Sequence, residues 1–313
     1  MSRDIRQYVQ ACHVCATYPD KQPPETLRRH EVPERPWQKV ASDIFTFCDR
    51  NYLVTVDCFS NFIEVAYLPD TLAKTVVTKL KLQFARYGIP DILISDGGPQ
   101  YTSNEFKTFS KQWSFDHNVT SPGNSKANGA AEAAVKIVKK MMRKCKLQHE
   151  DPYIGLLNIR NTINEGWHSS PAQRMFGRAT KTLIQTTASH LTQSVFNTGT
   201  DRDQANKRRV EEASRFNQHA RDLKPLQAGT TVRIQPSALF NHTWKPGAIT
   251  RQLTPRSYEV QTDEGTVIRR DRHFMRSTHE QSQQSNVTAN HDESHTKQRH
   301  RELHIENSKN QKR

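Results

Sequence analysis

No window of about eighteen apolar residues occurs anywhere in this 313-residue chain, which excludes a membrane-spanning helix. The first twenty residues also lack the apolar core of a secretion signal, so export by that route is not expected. Cysteine is scarce: Cys12, Cys15, Cys48, Cys58 and Cys145 are odd in number and scattered. Such a set does not make a disulfide framework and indicates a reducing compartment. Hydrophobic residues reach only 34% and mean hydropathy is −0.84, so some segments can build a core and others cannot fold alone. There is no internal repeat. What the chain has in excess is positive charge. Against 32 Asp and Glu stand 46 Lys and Arg, giving a net charge of +14 and a pI of about 9.7. That surplus calls for a polyanionic partner, nucleic acid first and an anionic membrane surface second.

The length accommodates roughly two or three modest domains. The opening "DIRQYVQACHVCATYPDKQP" gives a short helical pattern, a Cys-x-x-Cys and then a proline-rich linker. From Trp37 the texture becomes strand-like, first in "WQKVASDIFTF" and then in "NYLVTVDCFSNFIEVAYLP", two apolar runs joined by a turn at "CFSN". Helical spacing at Val76, Val77, Leu80 and Phe84 stops at Gly88 and Pro90. "DILISD" reads as a short buried strand, and "SNEFKTFSKQWSF" as a helix capped by Ser103 with Phe106, Phe109 and Trp113 on one face. "DHNVTSP" is a further strand, "NGAAEAAVKIVKKMMRKCKL" a long basic helix, and Pro152 stands near the start of another. Clustered strands followed by strand and helix in alternation predict an α/β layered domain. After polar, ambiguous residues 181–205 and a charged helix, "GTTVRIQ", "WKPGAITRQ" and "SYEVQTDEGTVIRRD" predict a small β-barrel. The remainder is poor in large apolar side chains and predicts a disordered tail.

Three acids in the α/β segment call for explanation. Asp43 lies inside an apolar strand between Val40 and Ile44, Asp96 ends the "DILIS" strand, and Glu132 sits early in the alanine-rich helix. Each has a plain structural reading: an exposed strand face for Asp43, a turn or cap for Asp96, and favourable helix-start charge for Glu132. Together they fit another pattern. Two strand aspartates and one helix glutamate can converge at the open edge of a sheet, where clustered carboxylates repel unless a cation is present. Magnesium suits such a cluster because it is a hard ion that takes oxygen ligands and retains waters and phosphate oxygens. Two such ions about 3.5–4 Å apart can activate an attacking oxygen and stabilise a leaving one at phosphorus. On that reading Gly97 and Gly98 keep bulk away from the site.

Thirty-five residues lie between Asp96 and Glu132. With "WQKVASDIF", "YLVTVDCFSNFIEV", "FARYGIPDILISDGGPQYTSNEF", "NGAAEAAVKIVKK" and "SPAQRMFGR", that spacing resembles the catalytic core of integrases of gypsy-type long-terminal-repeat retrotransposons. The resemblance covers most of residues 5–275. It implies an α/β, ribonuclease-H-like core (a mixed sheet with flanking helices) followed by a small C-terminal β-barrel and a disordered tail. It also implies Mg2+- or Mn2+-dependent 3′-end processing and strand transfer, with Asp43, Asp96 and Glu132 as catalytic metal ligands. The partners implied are element and target DNA and further copies of the chain, with no membrane, in the nucleus. The domain organisation that follows is a truncated zinc-module remnant plus linker at 1–35, the catalytic core at 36–180 and a linker with a charged helix at 181–224. A β-barrel DNA-binding module at 225–276 and the tail at 277–313 complete it.

Three departures from the family pattern stand out. Gly97 replaces the asparagine of the usual Asp-Asn-Gly, "GNSKANG" replaces Tyr-Pro-Gln-Ser-Asn-Gly, and Ile163 stands where proline is common. Cys12 and Cys15 resemble the second half of a His-His-Cys-Cys zinc module whose first half precedes Met1, so zinc is not expected to be held, and neither His13 nor His30 has a spacing that substitutes. Lys136, Lys139, Lys140 and Arg143 share a helix face at i, i+3, i+4 and i+7 and are candidates for phosphate contact, the plain reading being a solvated face. Arg251, Arg256, Arg269, Arg270 and Arg272 are the candidates in the C-terminal module, while Trp244, Pro255 and Tyr258 read as core and turn residues. The alternatives to an integrase are a domesticated or decayed copy that binds DNA without joining it, and a ribonuclease of the same fold.

Overall fold

The computed structural model describes residues 5, 8, 12–18, 22–26, 33–120, 128–164, 166–184, 187–192, 198–235 and 243–278. His30, most of the "GNSKANG" loop and the tail beyond 278 lie outside the described residues. The chain divides into two compact units, one of Pro23–Asp222 and one that joins Met1–Gln22 to Leu223–Arg313. Helix α1 (His13–Thr17) belongs to the latter.

The larger unit is built on five strands: β1 (Lys39–Phe47), β2 (Arg50–Asp57), β3 (Ile63–Leu68), β4 (Ile92–Ser95) and β5 (Asp116–Val119). Their order is β3-β2-β1-β4-β5, with β1–β3 antiparallel and β4 and β5 added in parallel, so the sheet is mixed. Cys48 and Asp49, at φ 47° and 56°, make the tight β1–β2 turn in a left-handed conformation whose twist suits a hairpin. The β2–β3 turn is fixed by buried Asp57. Its carboxylate accepts from the backbone N–H groups of Trp37 (3.0 Å), Phe59 (3.3 Å) and Ser60 (2.9 Å) and from Ser60 Oγ (2.5 Å). Burial pushes its pKa up, and those four hydrogen bonds oppose the shift.

Helices flank both faces of this sheet: α2 (Ala73–Tyr87), α3 (Pro99–Thr102), α4 (Asn104–Gln112), α5 (Gly129–Gln148), α6 (Pro152–Asn161) and α7 (Pro171–Phe176). A short helix, α8 (Ala188–Leu191), and a long one, α9 (Thr198–Asn217), follow. Because side chains alternate along a strand, each strand feeds two cores. Val40, Leu53, Leu68 and Leu93 pack against Val76, Leu80 and Phe84 of α2 and the aromatic residues of α3 and α4. Ala41, Phe45, Val54 and Ile94 pack against Ala131, Ala134 and Val138 of α5. Ser103 caps α4 through Phe106 N at 3.1 Å, and Gly88 ends α2 at φ 94°.

The smaller unit is a five-stranded antiparallel sheet: β6 (Thr231–Ile234), β7 (Lys245–Thr254), β8 (Ser257–Thr262), β9 (Val267–Asp271) and β10 (Met275–Ser277), in the order β10-β6-β7-β8-β9. Among the described residues β9 and β10 do not pair with each other, so the structure here is a sheet whose ends are not joined. Its core holds Val232, Ile234, Ile249, Tyr258 and Met275, with Trp244 buried as well and Pro255 exposed in the β7–β8 turn.

Candidate active site

Alternation along β1 puts Asp43 on the same face as Ala41 and Phe45, the face covered by α5. The parallel register pairs Val40 with Leu93 and Ala41 with Ile94. Carried on by two residues, it brings Asp43 alongside Asp96, which follows the last residue of β4. Glu132 lies in the first turn of α5. The three acids expected to converge therefore share one sheet face and one end of it. Asp43 is half-buried and its pKa is pushed from 3.8 to about 6. Burial is the largest cause. A hydrogen bond from Ile44 N (2.8 Å) and the Lys139 ammonium oppose it, and the negative charges of Asp96 and Glu132 add to it.

The plain reading of Asp96 also holds in part, since its Oδ1 accepts from Gly98 N at 3.1 Å, closing a local turn. A Cβ on Gly98 would stand 3.1 Å from that oxygen and 2.4 Å from Gln100 Nε2, whereas one on Gly97 would meet nothing nearer than 3.9 Å. A side chain at Gly98 would therefore displace the ends of Gln100 and Asp96, whereas one at Gly97 would make only ordinary contacts. The donor set of three carboxylates, with mutual repulsion written into the pKa of Asp43, fits a hard divalent cation. Among the described residues, however, no three His, Cys, Asp or Glu side chains are gathered closely enough to form a ready-made metal group. Cys12 and Cys15 stand together at the start of α1, and a hydrogen bond that the Cys15 thiol donates to Cys12 is the largest cause of its raised pKa.

The basic candidates are spread along α5. Lys136, Lys140 and Arg143 are exposed, while Lys139 is half-buried with its ammonium 5.6 Å from the centre of the Phe45 ring. In the smaller unit, Arg251 is held by Glu259 through two hydrogen bonds of 2.7 and 3.0 Å. Arg269 donates to Ser257 Oγ at 2.7 Å, and partial burial lowers the pKa of Arg270. Arg272 is buried, donating to the carbonyls of Lys224 (2.8 Å) and Met275 (2.6 Å), so it is structural, contrary to the expectation of a phosphate contact. Arg256 is half-buried.

Sequence reasoning missed a set of buried polar groups. Glu64 on β3 is enclosed by Arg160 (3.1 Å), Arg86 (3.7 Å) and the Tyr87 hydroxyl. Arg160 also donates to Ile63 O at 2.9 Å and lies 4.4 Å from the Phe62 ring centre, so it ties α6 to the sheet. Arg174, within "SPAQRMFGR", donates twice to Ser60 O (3.0 and 2.8 Å) and once to Ser169 O, which ties that motif to the "CFSN" turn. A carboxylate in the middle of "FIEVAYL" was the signal available for the first of these.

Residues 33–125 match the family model described as integrase core domain, a span that contains Asp43 and Asp96 and ends before Glu132. The chain is 28% identical over 276 residues to an uncharacterized protein of Caenorhabditis elegans, covering 83% of this chain and 21% of that protein. It is 27% identical over 188 residues to the Gag-Pro-Pol polyprotein of Simian retrovirus SRV-1, covering 54% of this chain and 11% of that one. To the Transposon Tf2-3 polyprotein of Schizosaccharomyces pombe it is 23% identical over 184 residues, covering 56% and 14%. The chain thus has homology to retroviral and transposon polyproteins and spans at most 21% of the length of these relatives. In fold it is similar to a chain of the simian T-cell lymphotropic virus intasome in complex with PP2A regulatory subunit B56 gamma, with a TM-score of 0.56, 16% identity and coverage of 88% and 90%. No helix among the described residues is long and apolar enough to cross a membrane.

Proposed function

We propose that this chain is the integrase of a gypsy-type long-terminal-repeat retrotransposon, trimming the 3′ ends of element DNA and joining them to target DNA in the nucleus as a homo-oligomer. The observation that carries this reading is the sharing of one sheet face by Asp43, Asp96 and Glu132, with Asp43 held up to about 6 partly by the charge of the other two. Asp43 lies in β1 and Asp96 directly follows β4, the strand paired with β1, so the sheet brings their backbones to neighbouring positions. Magnesium or manganese, when bound by these three, supplies charge stabilisation at phosphorus and at the attacking and leaving oxygens. Lys136, Lys140 and Arg143 hold backbone phosphates along the exposed side of α5, giving affinity without base specificity. The second, antiparallel sheet takes the place of the family's small C-terminal module and adds DNA contacts through Arg256, Arg269 and Arg270. Arg251 contributes less, because Glu259 already neutralises it.

The test is strand transfer. A labelled duplex with a recessed CA 3′ end is incubated with supercoiled plasmid and Mg2+ or Mn2+. Joined product is expected with the parent chain and not with Asp96→Asn or Glu132→Gln, while DNA binding is retained. Joining by Asp96→Asn at the parent rate would show that the assigned site is wrong. DNA binding by the parent without any joined product would favour a binder over an enzyme.

A further inference from the structure

Beneath the three carboxylates, on the opposite face of the sheet, lies a buried polar layer with no direct part in the proposed reaction. Ser42, Ser95 and Tyr101 are each 0% exposed. Alternation sends Ser42 to the face opposite Asp43, and Ser95 opposite Asp96. Ser42 Oγ donates to Val54 O at 3.1 Å and lies 2.9 Å from the Tyr101 hydroxyl. Either hydroxyl can be the donor in the second bond. The carbonyl of Ser42 accepts from Asn128 Nδ2 at 3.2 Å.

Those partners are not random segments. Tyr101 lies in α3, on the chain that leaves Asp96, and its ring is packed against Phe106 at 5.3 Å. Asn128 is the residue from which α5 starts, one turn before Glu132. Ser95 completes the layer, with its Oγ 2.8 Å from His117 Nε2 and 2.9 Å from the carbonyl of Asp96. Ser42, next to Asp43 in sequence, is therefore hydrogen-bonded to both of the other segments that carry an acid.

We propose that Ser42, Tyr101 and Asn128 form a positioning clamp that sets the mutual spacing of Asp43, Asp96 and Glu132 and thereby the affinity of this site for a divalent cation. The inference rests on the integrase reading above. A role limited to satisfying buried hydroxyls would make the layer matter for stability alone. A positioning role makes it matter for metal affinity at unchanged fold, because groups that orient ligands are worth roughly 10–100-fold in binding. Tyr101→Phe is the informative change: the ring stays in its packed site and only the bond to Ser42 is lost.

The experiment is Mn2+ binding to the full chain, read from the free-ion electron paramagnetic resonance signal, alongside thermal unfolding of each variant. The parent is expected to bind in a manner that Asp96→Asn abolishes. Tyr101→Phe should need about tenfold more Mn2+ for half-saturation. Ser42→Ala should shift in the same direction, and the double variant should be no worse than the weaker single one, as coupled partners require. An unchanged Mn2+ midpoint in folded Tyr101→Phe, whatever its melting temperature, overturns the clamp and leaves the integrase reading intact. Parent binding that Asp96→Asn does not alter overturns both. Should Tyr101→Phe fail to fold, the midpoint of Ser42→Ala decides in the same way.

Discussion

Asp43→Asn should make the protein more stable at neutral pH while removing its ability to join DNA. Asparagine keeps an oxygen to accept from Ile44 N, which bonds Asp43 at 2.8 Å, so only the charge is removed. The folded-state pKa of Asp43 is raised from 3.8 to about 6, mainly by burial. A raised acid pKa means that the folded chain holds the proton more tightly than the unfolded one. The ionised carboxylate therefore destabilises the fold, fully so above pH 6, and the effect fades as pH falls toward 3.8. Each pH unit between the two values is worth about 1.4 kcal/mol, for an upper bound of about 3 kcal/mol. Asp43 is only partly buried, and solvent screening reduces the expected gain to about 1–2 kcal/mol. Urea denaturation at pH 7.5 and pH 5, followed by tryptophan fluorescence with Trp244 replaced by Phe in both parent and variant so that the signal comes from the larger unit, measures it. The gain at pH 5 should be about half that at pH 7.5. A variant no more stable than the parent at pH 7.5, or equally favoured at both pH values, would refute the argument that the fold holds the ionised Asp43 carboxylate at a cost, chiefly through its burial.

Arg160→Met should destabilise the larger unit by about 3–5 kcal/mol, because it strands the buried Glu64 carboxylate with only Arg86 at 3.7 Å and Tyr87. Equilibrium unfolding checks this, and adding Glu64→Gln should recover part of the loss. Replacing Lys136 and Lys140 by Gln should weaken DNA binding and flatten its dependence on salt by roughly one log-slope unit for each phosphate no longer neutralised, measured by fluorescence anisotropy across a salt series. An unchanged slope would return that helix face to simple solvation. Ala131→Leu, at a position 0% exposed, should overpack the contact of α5 with β1 by about 1–3 kcal/mol and abolish joining by displacing Glu132. Joining at the parent rate would mean that the helix tolerates the shift.

Periodicity made most of the larger unit legible. The stops at Gly88 and Pro90, the cap at Ser103 and the strand at "DILIS" all follow from local chemistry that tertiary contacts do not override. Asp43, Asp96 and Glu132 each have a plain structural reading and stood out only together, through their order, their spacing and the motifs around them. Ser42, Tyr101 and Asn128 were not legible. A serine in a strand and a tyrosine in a one-turn helix gain meaning only from partners 59 and 86 residues away, which no local pattern encodes. Arg272 failed for a related reason: within an arginine-rich strand end, nothing local distinguishes a side chain that reaches buried carbonyls from one that reaches solvent. The ends of the second sheet show the same limit, because strand patterns fix neighbours in a hairpin but not whether the first and last strands meet.

The site's position follows from the sizes of the side chains between α5 and the sheet. Near its start the helix presents Ala131 and Ala134, and the strand facing it presents Ala41. Further along it presents Val138, Met141 and Met142, which share a core with Phe45, Val54 and Ile63. Small residues let a helix backbone come close, while larger ones hold it off, so the end that carries Glu132 is the end where helix and sheet can approach. That approach brings a helix acid toward two strand acids, a juxtaposition the charges themselves oppose. The opposite face supplies the counterweight, since Phe106, Phe109, Tyr101 and Phe84 form a large aromatic core on that side of the sheet. One face is therefore spent on stability so that the other can hold like charges together, which is why stabilising the acids and keeping them functional are expected to pull in opposite directions.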